Sequence, residues 1–129
     1  MARRRIPAAA GTAAVRAVAA GSSDRTERTT AVRYSLEELA ARAPGNTVEV
    51  RVPPLGVTQC VEGPRHTRGT PPNVIETDAD TWLALITGAL RWTEAVASGA
   101  VSASGQRADL SALLPLFPQL PPPPGPDSA

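Results

Sequence analysis

A chain of 129 residues has room for one domain, and 13 basic against 12 acidic groups leave no charge excess with which to hold nucleic acid. The lone cysteine, Cys60, excludes an internal disulfide and points to a reducing, cytoplasmic setting. No apolar run approaches the roughly 18 residues of a membrane span, so no stable membrane insertion is expected.

The chain opens on Arg3, Arg4 and Arg5, followed by an Ala/Val run. A signal peptide has that order, but Arg16 falls inside the apolar part and alanine stands where leucine is usual. The reading adopted is a short helix from about Thr12 to Ala20, with Val15 and Val18 on one side. SSDRTERTT then reads as a polar linker. Residues 1–29 are thus expected to be an arm dispensable for folding, residues 30–117 the domain, and residues 118–129 a proline-rich disordered tail.

Ser35 and Glu38 have the S-x-x-E spacing of a capping box, which predicts a helix over Ser35–Ala43 with Leu36, Leu39, Ala40 and Ala43 as its stripe. TVEVRV alternates strictly and predicts a strand over 47–52, with Val48, Val50 and Val52 inward. A second strand is expected over 55–61, with Leu55, Val57 and Val61 on one face and Thr58 and Cys60 on the other. Gln59 interrupts that pattern, as a polar group at a cavity edge or as the mark of a bulge or an edge strand. A third strand is expected over 73–77. Asp78 or Asp80 caps the next helix, which places Trp82, Leu85, Ile86, Ala89 and Leu90 on one stripe. A further helix starts at Trp92 and stops at Gly99, and a fourth strand covers 100–104. Leu110, Leu113, Leu114 and Phe117 have the spacing of a last helix, ended by Pro118. The fold class is α+β, a small, mostly antiparallel sheet of about four or five strands covered by helices on one face.

Sites for covalent chemistry are scarce. His66 is the one histidine, and with Cys60 it falls short of the four ligands of a structural zinc site. The carboxylates are scattered, and GTAAVRA and GPRHTRG both lack the lysine of a phosphate-binding loop. No catalytic residue, metal or cofactor is therefore expected. Arg65, His66 and Arg68 form the one concentrated polar group. They would either recognise a carboxylate or phosphate, or pair with Glu62, Glu76 or Asp109 and tie their loop to the body.

The helix WLALITG (W-L-x-L-x-x-G), the helix end AVASG (A-x-x-S-G), the strand VSASG (V-x-x-S-G) and the leucine-rich segment after it resemble the carboxy-terminal half of the sterol carrier protein (SCP2-like) family. EGPRHTRGTPPNVIE and SGQRADLSALL point to its small bacterial branch, and the likeness covers roughly Thr30 to Phe117. The resemblance implies non-catalytic carriage of an apolar small molecule, of fatty acyl, isoprenoid or similar lipid type, between sheet and helices. Val57, Trp82, Leu85, Ile86, Trp92, Leu110, Leu113, Leu114 and Phe117 would line that space, and Arg65, His66 or Arg68 would form a polar mouth. The same stripe could instead close a solid core, which would make the chain a structural or interaction module. Sterol-carrier domains also accompany thiol-dependent isomerases, but there the metal-binding histidines belong to a separate helical domain. Nothing in the pattern sets an oligomeric state.

Overall fold

A computed structural model describes residues 5–63 and 72–118. Among them, four helices pack on a four-stranded sheet of order β2-β1-β3-β4. The helices are α1 (Ala8–Ala19), α2 (Arg25–Arg42), α3 (Ala79–Thr87) and α4 (Trp92–Ala97). The strands are β1 (Val48–Val52), β2 (Gly56–Cys60), β3 (Asn73–Thr77) and β4 (Val101–Ser104). β1 runs antiparallel to β2 and parallel to β3, and β3 runs antiparallel to β4, so the sheet is mixed but mostly antiparallel. The fold is α+β, as expected.

The register puts Val48, Val50, Val52 and Ile75 on the core face, all fully buried. It also corrects the phase of β2. Val52 pairs with Gly56, Val50 with Thr58 and Val48 with Cys60, so those three β2 residues face inward. Val57 points to the outer face and is 60% exposed. Gln59 lies there too, and its amide donates to Glu49 Oε1 at 3.3 Å. The pairing with β1 sets this phase, because directly opposite residues share a face. Leu55 belongs to the turn before β2 rather than to the strand, so its hydrophobicity does not set the phase. β2 ends at Cys60 because Val61 takes φ 67°, a left-handed conformation that a β-branched residue rarely adopts and that breaks the pleat.

α2 is twice as long as the capping box implied. It starts at Asp24, whose Oδ2 accepts the Glu27 N–H at 2.9 Å. The segment expected as a linker forms its first turns, which are polar, half-buried from Glu27 on, and carry no apolar stripe to announce a helix. Ser35 is therefore an interior helical residue, not a cap. α1 packs along α2 with Ala14 and Val15 buried, and Gly11 is what permits the approach. A Cβ on Gly11 would lie 2.2 Å from ring atoms of Tyr34.

The last predicted helix is absent. Leu113 and Leu114 N–H groups both reach the Leu110 carbonyl, at 2.9 and 3.0 Å, which closes one turn. Pro115 then offers no N–H and disfavours helical geometry at Leu114. The chain runs on in irregular form and is held by side contacts. Phe117 N–H donates to the Ile86 carbonyl at 3.0 Å, and Arg42 Nη1 donates to the Leu116 carbonyl at 2.7 Å. The Phe117 ring stacks on Tyr34 with centroids 6.0 Å apart, and the Arg42 guanidinium sits 5.6 Å from the centre of the same ring. Leu110, Leu116 and Phe117 are buried by this route.

Candidate ligand groove

α3 ends where Gly88 takes φ 88°, the left-handed cap conformation that glycine adopts without cost. Leu90 N–H folds back to the Ala84 carbonyl at 3.2 Å, and α4 starts at Trp92. Against this corner lies the irregular segment after Leu110. The three pieces enclose a surface groove of about 370 Å³. Leu85 forms its floor; Leu90, Trp92, Leu114 and Pro115 form apolar walls. Arg91, Thr93 and Ser111 stand at its edge, and Arg91 is the one charged group among the lining residues. Arg91 is exposed and has no ion-pair partner among the described residues. Ser111 is positioned by Asp109, whose Oδ1 accepts the Ser111 N–H at 2.8 Å. That hydrogen bond, with one from the Ser111 side chain, holds the Asp109 carboxyl below the usual carboxylate range.

The nine apolar positions expected around a ligand thus divide. Leu85, Trp92 and Leu114 meet in this groove. Trp82, Ile86, Leu110 and Phe117 are buried core residues, and Leu113 packs against that core half-buried. Val57 is on the far side of the sheet and takes no part. Arg65, His66 and Arg68 lie outside the described residues. Leu90, Arg91 and Pro115 were missed as lining residues. Leu90 belonged to the α3 stripe and Arg91 directly precedes α4, but only the fold brings Pro115 to both.

Cys60 is fully buried inside β2, and burial pushes its thiol up to about 11, away from the reactive thiolate. Among the described residues no group of three or more His, Cys, Asp or Glu side chains could hold a metal ion. Among them, too, no helix is long and apolar enough to cross a membrane. A second groove of about 730 Å³ lies beside α2 and β2, and its lining includes Arg5, Arg33, Glu37, Thr29, Thr30 and Thr58.

Comparison with curated proteins returns no match. A family model described as "Bacterial SCP ortholog" matches residues 24–116, a span that opens at the Asp24 cap of α2 and closes within the segment buried beside α3, and the chain belongs to that family.

Proposed function

We propose that this chain binds an apolar small molecule, a fatty acyl or isoprenoid chain with an anionic end, non-covalently in the groove of α3, α4 and the segment after Leu110. The observation that carries this reading is the lining itself: Leu85, Leu90, Trp92, Leu114 and Pro115 around one cation, Arg91, that has no ion-pair partner among the described residues. About 370 Å³ falls within the range of small-molecule sites, roughly 300–1,000 Å³. Each Å² of apolar surface taken from water contributes about 25 cal/mol, and the guanidinium would orient a carboxylate at the rim. Family membership supports the same reading.

Calorimetric titration with dodecanoate tests it. Saturable binding is expected for the parent and none for Leu114→Trp, whose indole would occupy the groove. Arg91→Gln should weaken binding by about tenfold, the loss of about one charge-assisted hydrogen bond. No binding by the parent would favour an interaction module instead. That second reading draws on the fully buried Trp82, Ile86 and Leu110, which fill space between sheet and helices.

A further inference from the structure

We propose that the second groove binds a phosphate monoester, with Arg5 and Arg33 on the phosphate and an apolar surface beneath the organic part. The groove, about 730 Å³, is shared by the residues before α1, one face of α2 and the start of β2. Its position follows from the packing. α2 lies directly on β2: Arg33 Nε donates to the Leu55 carbonyl at 2.8 Å, and Val61 N–H donates at 2.7 Å to the carbonyl of Ala43, which caps α2. Gly56 permits that approach, since a Cβ there would lie 2.9 Å from Leu36 Cδ1. The groove is therefore open surface alongside this contact, not a gap within it. Thr30, Arg33 and Glu37 follow one another at i, i+3 and i+7 and share one face of α2. Ile6 N–H donates to Glu37 Oε1 at 3.2 Å, which sets Arg5 beside the turn of α2 that carries Arg33 and Glu37.

The donors on this surface select the ligand. Arg5 and Arg33 are exposed, and among the described residues neither has a carboxylate partner. The bond to Leu55 uses only the Nε–H of Arg33 and leaves both Nη groups at the outer edge of the guanidinium. Thr29, Thr30 and Thr58 are half-buried in the same lining, and their hydroxyls make no hydrogen bond among the described residues. Glu37 is the one carboxylate in the lining, so against two guanidiniums the net charge stays positive. Two guanidiniums and three hydroxyls offer more donors than one carboxylate accepts. They match the three terminal oxygens and the near-double charge of a phosphate monoester. Ile6, Leu36 and Leu55 supply apolar surface for the organic part.

The probe is phenyl phosphate, added to the full chain at about pH 7.5, where the phosphate is doubly charged, and followed in proton–nitrogen correlation spectra. Saturable shifts are expected at the backbone N–H signals of Ile6, Thr30, Arg33 and Gly56, while the Trp92 indole signal stays in place. Phenyl sulfate, of the same shape but singly charged, should bind about tenfold more weakly. Arg5→Gln removes a side chain with no ion pair among the described residues, so the fold is kept. It should weaken phenyl phosphate about tenfold, and Arg33→Gln at least as much. Vesicles separate two sources of the same group. Sedimentation with phosphatidate vesicles but not with phosphatidylcholine vesicles would make a lipid headgroup the ligand; phenyl phosphate binding without sedimentation would make it a soluble ester. No saturable shift with phenyl phosphate, equal binding of phenyl sulfate, or unchanged binding by both variants overturns the proposal. None of these outcomes involves the dodecanoate groove, so the two sites are tested independently.

Discussion

The indole N–H of Trp82 donates to Ser35 Oγ at 2.8 Å, with both residues fully buried. Ser35 Oγ donates in turn to the Val32 carbonyl at 2.7 Å. A hydroxyl has one proton and two lone pairs, so it serves both bonds at once. The pair is a polar link from α2 to α3 inside the core. Ser35→Ala would leave a buried N–H without a partner and should cost about 1–3 kcal/mol, read from urea unfolding. Trp82→Phe made on top of Ser35→Ala should cost less than it does in the parent, because the orphaned N–H goes with it. Simple additivity would show that the bond contributes nothing.

Residues 1–29 were expected to be dispensable for folding, and the packing of α1 predicts otherwise. Gly11→Ala would push a methyl group into the Tyr34 ring and force the helices apart. The expected cost is about 1–3 kcal/mol, against less than about 0.5 kcal/mol for Ala13→Ser on the exposed side of the same helix. Deleting residues 1–20 should lower the thermal midpoint by more than about 10 °C. An unchanged midpoint would return α1 to the status of an arm.

Cys60 predicts a pH dependence. Burial raises its folded pKa from 9.0 to about 11, so the folded state favours the neutral thiol. The resulting stability is fully present below the unfolded value and is lost as pH rises from 9 toward 11. Urea midpoints measured across that window should fall, and Cys60→Ala should flatten the fall. At neutral pH iodoacetamide should label Cys60 only as fast as the protein opens.

Much of this fold was legible because strict alternation and glycine stops are local signals. TVEVRV gave β1 its inward Val48, Val50 and Val52, and Asp78 caps α3 with its carboxylate on the Thr81 N–H. What was not legible depended on partners. The phase of β2 is set by pairing with β1, not by its own valines. The first turns of α2 are polar and at most half-buried, so no apolar stripe marks them as helix. The spacing of Leu110 to Phe117 imitates a helix, but Pro115 interrupts it, and Phe117 reaches the core by stacking on Tyr34 instead. The groove joins Leu85, Arg91 and Pro115 from separate segments, so spacing could indicate only part of it.

The two tryptophans separate the readings of this protein. Trp92 lines the groove, while Trp82 is sealed in the core against Ser35. Each gives its own indole N–H signal in a proton–nitrogen correlation spectrum, with Trp92→Phe providing the assignment. Titration with dodecanoate should move the Trp92 signal saturably and leave the Trp82 signal in place. Movement of the Trp82 signal alone would put the ligand inside the core, and no movement of either would contradict the ligand groove.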